Sequence, residues 1–261
     1  MSWIRILAVA RRHFYVLKRS PHRLFDVTVW PLVDVLLFGS IGVFVSGGSG
    51  GGSAFAYLLG GIILWHVVYQ SQIALSTGFL EETWSRNLLN LMVSPLTEAE
   101  YACGVALFGM MKLVMGVTLT ALLALIAYTF NVLEAGLALV PIIAILLIVG
   151  WAIALFVIGV VFRFGSGAEA LAWGILFAVM PLSGVFYPID ALPEVLRPIA
   201  VALPTTHAFS AMRAVLDGNA LPWSEIGIAA LSAALLSAGA LVFVARMMAL
   251  FRRRGYISRY S

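Results

Sequence analysis

The sequence predicts an all-α polytopic membrane protein, and three observations predict it. Of 261 residues, 62% are hydrophobic and 11% charged, whereas soluble domains run at about 45–50% apolar and about 25% charged. The mean hydropathy is +1.03. The apolar residues also gather into about six runs of about 20 residues, the length that crosses a bilayer as a helix. Cys103 is the single cysteine, so a framework of intrachain disulfides is excluded.

The opening stretch 1–23 places Trp3, Ile6, Leu7, Ala10, Phe14 and Leu17 at helical spacing, with Arg5, Arg11, Arg12, Lys18 and Arg19 largely on the other face. That pattern predicts a basic amphipathic helix lying in the headgroup region beside anionic lipid. A secretory leader is the rival, but the apolar run that follows is too long for one and has no small-residue cleavage site after it.

The first span is expected over 27–46, with Pro31 and Asp34 inside it; the Gly/Ser run 47–53 follows as an outside loop. The second, over 54–79, holds Trp65, His66, Tyr69 and Gln70. After it comes the longest polar interruption between two spans, EETWSRNLLNLMVSPLTEAE at 81–100. Leu88, Leu89, Leu91 and Met92 give it a short helix with one apolar side, stopped at Ser94-Pro95. Thr97 and Glu100 have the spacing of a capping box, which starts the third span there and carries it to Tyr128.

A short outside turn at 131–136 leads to a fourth span over 137–162, and an inside turn at 163–169 to a fifth that begins at Ala170. Residues 180–218 contain Pro181, Pro188, Pro193, Pro198 and Pro204 yet stay apolar. Short broken helices dipping into the outer leaflet fit this composition, since irregular backbone at that depth needs protein or water around it. Thr205 or Thr206 is expected to cap the last of them, which ends near Asp217-Gly218. The sixth span is placed over 225–250. The domains are thus an interfacial helix at 1–23, a six-span unit at 24–251 and a basic tail at 252–261.

An even number of spans puts both termini on one side. Thirteen Lys and Arg residues fall there, against Arg197 and Arg213 on the other, with Lys112 inside a span. By the positive-inside rule that side, with both termini and the 81–100 segment, is cytoplasmic.

No Walker A sequence, H-E-x-x-H, paired cysteine or G-x-S-x-G is present, so nothing argues for an ATP site, metal or nucleophile within this chain. The four histidines lie on separate segments without metal-ligand spacing. Basic tails beside spans are topology signals, so no nucleic-acid partner is expected. Intramembrane ionisable groups are the usual place to look for function. Asp34 and Lys112 stand at equal depth, about 12 Å from the cytoplasmic end at 1.5 Å per residue. Either they pair, or Lys112 snorkels while Asp34 faces polar neighbours. His66 is a proton relay or a packing residue. Trp65, Tyr69, Phe186 and Tyr187 line a substrate path or form interfacial belts.

Two motifs together resemble the ABC-2 family of ABC-exporter permeases. The first is NLLNLMVSPL at 87–96; the second is PLSGVFYP at 181–188, followed by Leu192-Pro193 and then Pro204-Thr205-Thr206-His207 leading to Arg213. In order on a six-span frame they cover nearly the whole chain. The family often has an Arg-Glu-rich lead where this chain has EETWSR at 81–86. The resemblance implies a half-transporter, and the absence of organelle-targeting features suits a bacterial inner membrane. A second permease copy, two ABC ATPase subunits that bind ATP and Mg, and membrane lipid are its expected partners, and this chain is expected to hold no cofactor. It further implies a coupling helix made by Glu81, Glu82, Arg86, Leu88, Leu89, Met92 and Pro95. Pro181, Gly184, Pro188, His207 and Arg213 would form an outer gate. Family members export lipid-linked polysaccharides, lipo-oligosaccharides or drugs. The competing expectation is a proton-coupled transporter or channel using His66 and Asp34.

Overall fold

The computed structural model describes residues 1–47, 52–84, 94–165 and 170–253. All regular structure among them is helical. In chain order the helices are α1 (Trp3–Arg19), α2 (Pro21–Val45), α3 (Ser53–Trp84), α4 (Glu98–Tyr128), a 3-10 turn at Val132–Ala138, α5 (Leu139–Phe164), α6 (Ala170–Leu182), a 3-10 turn at Ile189–Ala191, α7 (Arg197–Ala202), α8 (Pro204–Leu216) and α9 (Trp223–Arg253).

The first boundary is set by one proline. Ser20 is extended, at φ −111° and ψ 99°, as a residue before proline is driven to be. Pro21 then opens α2 at its first turn, where its missing N–H costs nothing. The interfacial helix therefore ends at Arg19 rather than at residue 23, and Asp26 falls inside α2. The capping box is present: Thr97 Oγ1 accepts from the Glu100 N–H, and Glu100 returns the bond to the Thr97 N–H. The turn expected at 131–136 is the 3-10 helix, with Asn131 Oδ1 accepting from the Leu133 N–H.

Five of these segments are long and apolar enough to cross a bilayer: Pro21–Val45, Ser53–Leu80, Cys103–Tyr128, Val132–Phe164 and Trp223–Leu250. The fifth of the six expected spans is instead the 13-residue α6. At 1.5 Å per residue it is about 20 Å long, short of the roughly 30 Å hydrocarbon core. Its reason is at its end: Pro181 sits in the last turn, and Gly184 follows at φ +60°.

The bundle is built around α3, whose span is 83% buried, against 28% for α2 and α4 and 22% for α9. It packs on α2, α4 and α5, while α9 packs on the far side of α5 and α1 lies along α4. Close approach of α3 and α5 depends on Gly150, where a Cβ would lie 1.8 Å from Ser71 Oγ and 2.8 Å from the Val68 carbonyl oxygen. Small residues at such crossings let membrane helices reach van der Waals contact where no hydrophobic force separates helix from lipid.

Gly150→Leu should overpack this crossing, lowering unfolding free energy by about 1–3 kcal/mol or more. Gly227→Leu, on α9 with nothing within 4 Å of its would-be Cβ, should leave it unchanged. Thermal unfolding of the two variants in detergent checks this.

Candidate functional site

Three clusters of polar residues interrupt the apolar bundle. The first lies where the 81–100 segment meets α1 and α4. Glu100 is 2% exposed. Its Oε1 accepts from the Ser2 backbone N–H at 2.6 Å, and its Oε2 accepts from the Thr97 N–H and faces Arg5 Nη1 at 3.4 Å. Arg5 Nη1 also donates to the Pro95 carbonyl. One carboxylate thus caps α4 and holds the start of α1, while Arg5 holds the end of the preceding connection. The Thr97 and Ser2 amides, with Arg5 beside them, hold the Glu100 carboxyl down to about 2 from its ordinary 4.5. Further along, α1 packs Ile6, Val9, His13 and Leu17 inward, with His13 stacked on Phe108 at 5.4 Å.

Of the expected coupling residues, Pro95 is part of this cluster. Glu81 and Glu82 continue the α3 helix beyond the end expected for the second span. Arg86, Leu88, Leu89 and Met92 lie outside the described residues.

The second cluster is a ladder of ionisable groups between α2, α3 and α4. Lys112 Nζ lies 3.9 Å from Asp26 Oδ2, and Tyr69 Oη donates to Asp26 Oδ1 at 3.1 Å. Asp34 Oδ2 lies 3.2 Å from His66 Nε2. Asp34 and Lys112 thus each face a different group here, His66 and Asp26. The reason is the early start of α2. With Pro21 as its first residue, α2 carries Asp26 within its apolar span, about 12 Å along the helix from Asp34 and facing Lys112. Placing the first span at 27 hid Asp26, and the sequence signal that could have revealed it was Pro21 as a helix start. Gln70, Ser71, Gln72 and Ser76 extend the buried polar stripe of α3.

The third cluster is the proline-broken segment, at the end of α3 opposite the 81–100 connection. A Cβ on Gly61 would lie 2.4 Å from the Val185 carbonyl oxygen, so this segment sits directly on α3. Its irregular backbone is satisfied internally. Buried Arg213 donates to the Gly184 carbonyl, Tyr187 Oη to the Pro181 carbonyl at 2.9 Å, and Thr206 Oγ1 to the Ala200 carbonyl at 2.6 Å. Thr205 pairs with Ser183 at 2.6 Å. Neither threonine caps α8, because Pro204 starts that helix from Leu203; both are spent on these cross-links instead. His207 faces Glu225 Oε2 through Nδ1 at 2.7 Å and the Val201 carbonyl through Nε2 at 2.9 Å, tying α8 to α9. Pro188 precedes the 3-10 turn.

The four aromatic residues expected along a path do not form one lining. Trp65 is buried against Phe209, and Phe186 stacks on Phe38 at 4.2 Å. Tyr69 serves the ion ladder and leans on Trp173, and Tyr187 closes the turn at Pro181.

The model of the family described as ABC-2 type transporter matches residues 5–216, from the first turn of α1 to the end of α8. The chain belongs to the ABC-2 type transporter family. It is a membrane component of an ABC transporter. Among curated proteins it is similar to ABC transporter G family member 20 of Dictyostelium discoideum, at 36% identity over 116 residues. That alignment covers 43% of this chain and 16% of the relative; the chain thus matches a small part of a much longer protein.

Lys112→Met should strand Asp26 and destabilise the fold by up to about 3 kcal/mol. Adding Asp26→Leu should restore most of that loss, and adding Asp34→Leu should not; thermal unfolding in detergent separates the two. For Glu100, a folded-state value below the unfolded one adds stability that is present above about pH 4.5 and lost as pH falls toward 2. Pepsin nicking of α1 should therefore rise across that window. In Glu100→Gln it should already be raised at pH 4.5.

Proposed function

We propose that this chain is the transmembrane permease of an ATP-driven exporter. It pairs with a second copy of itself over two separate ATPase subunits and moves an amphipathic, lipid-linked or drug-like substrate outward. The ATP and Mg belong to the ATPase chains. The observation that best supports this reading is the Glu100 cluster. A force applied to the 81–95 connection has a mechanical route to α1 through Pro95 and Arg5, and to α4 through the Thr97–Glu100 cap. In this reading the proline-broken segment, which rests on the other end of α3, acts as the gate. Glu81, Glu82, Arg86, Leu88, Leu89 and Met92 are the contacts assigned to the ATPase, the acidic pair for steering and the apolar residues for packing.

The Asp34–His66 contact favours one competing reading, a proton-coupled transporter or channel. A histidine beside an intramembrane carboxylate is a group that such a device would use.

Vesicles with the chain co-expressed with its ATPase decide between the two. Leu88→Asp should abolish cargo-stimulated ATP turnover with insertion intact, and Arg5→Ala should lower it severalfold without loss of ATPase binding. His66→Gln should leave nucleotide dependence in place. Uphill transport by the purified chain without any ATPase would overturn the exporter reading.

A further inference from the structure

The face of α1 turned away from α4 carries chemistry that neither the fold nor the coupling route uses. The helix has three arcs. Ile6, Val9, His13 and Leu17 are buried against the bundle. Next to them, Trp3, Leu7 and Phe14 form an apolar arc that stays 64%, 45% and 38% exposed. Beyond that is a basic arc, where a shallow, open groove of about 550 Å³ has Arg11, Arg12, Tyr15 and Arg19 standing around the apolar surface of Ala8 and Val16.

Within this groove Tyr15 is held in an unusual state. Arg11 donates to its hydroxyl oxygen from both Nε (3.0 Å) and Nη2 (2.8 Å), with the guanidinium 5.3 Å from the ring centroid. A phenol that accepts two hydrogen bonds keeps one proton to give, and no acceptor for it is present among the described residues. The Arg19 guanidinium, also on this wall, likewise has no carboxylate or carbonyl partner there. The Tyr15 O–H and the Arg19 guanidinium are donors that a phosphate oxygen would satisfy. The neighbouring apolar arc sets the depth: an exposed Trp3-Leu7-Phe14 face goes into acyl chains, which puts the guanidiniums at the level of lipid phosphates rather than in open water.

We propose that the α1 groove is a binding site for the phosphodiester headgroup of an anionic phospholipid, with Arg11 and Arg19 flanking the phosphate and Tyr15 donating to one of its oxygens. This goes beyond generic attraction of a basic helix to a negative surface, because a neutral hydroxyl takes part in it. It rests on α1 alone and not on the exporter reading.

The test is native mass spectrometry of the full chain released from detergent and titrated with phosphatidylglycerol, with phosphatidylcholine as the neutral comparison. The wild-type chain should retain phosphatidylglycerol selectively. Tyr15→Phe, which removes no charge, should weaken that retention about tenfold, the worth of a hydrogen bond to a charged group. Arg19→Gln should weaken it about fivefold or more. Lys18→Gln, next in sequence but not on the groove wall, should have a smaller effect. All three residues are exposed, so an unchanged thermal midpoint is the expected control. The proposal is overturned if Tyr15→Phe binds like wild type, or if Lys18→Gln equals Arg19→Gln, which would mean diffuse attraction. Displacement of the lipid by equimolar inorganic phosphate would show a free-anion site instead. Loss of ATPase co-purification with lipid retention intact would show a protein dock.

Discussion

Glu100 is the residue on which the end of this bundle that holds α1 is organised. A helix that starts with four unpaired N–H groups needs acceptors, and Glu100 supplies one to its own cap while reaching the first residues of the chain. The same side chain therefore decides where α4 begins and where α1 lies. Gly104, one turn further, makes the contact tight: a Cβ there would stand 2.6 Å from that of Val9. The position of α1 is set by a carboxylate and a glycine before any lipid contributes. That fixed position is what gives its basic arc a defined direction.

Deeper in the bundle the governing constraint is that charge in hydrocarbon must be answered locally. Asp26 faces Lys112 and accepts from Tyr69, Asp34 lies beside His66, and all three neighbours come from α3 or α4. These contacts fix the rotation of α2 about its axis, because both carboxylates must turn toward the same two helices. Trp30, Leu37 and Phe44 are left on the outside. Tyr128 reinforces the choice at the other end, with its hydroxyl on the Leu36 carbonyl and its ring over Gly39.

The proline-broken segment obeys the same accounting by other means. Five prolines deny it a continuous helical ladder, so side chains take over as donors. Arg213, Tyr187, Thr206 and Arg197 each reach a main-chain carbonyl within the segment, Arg197 bonding to those of Leu192 and Asp190. A segment bonded this way can rest directly on α3 at Gly61.

Much of this was legible in the residues themselves. Hydropathy marks five long apolar helices but also counted a sixth span that is too short to be one; Thr97 and Glu100 spell a cap, and PLSGVFYP with its following prolines forbids a simple span, because each depends on near neighbours in the chain. What the linear text left open is which partner each polar group meets across space. Equal depth left open whether Asp34 and Lys112 pair or meet separate neighbours, and a helix start six residues earlier placed Asp26 in the apolar span, facing Lys112. Thr205 and Thr206 looked like caps, yet bonds to Ser183 and Ala200 claimed them. Periodicity and local chemistry determine where helices form; only tertiary packing decides helix rotation and register, and about two turns of α2 separate the carboxylate that meets Lys112 from the one that meets His66.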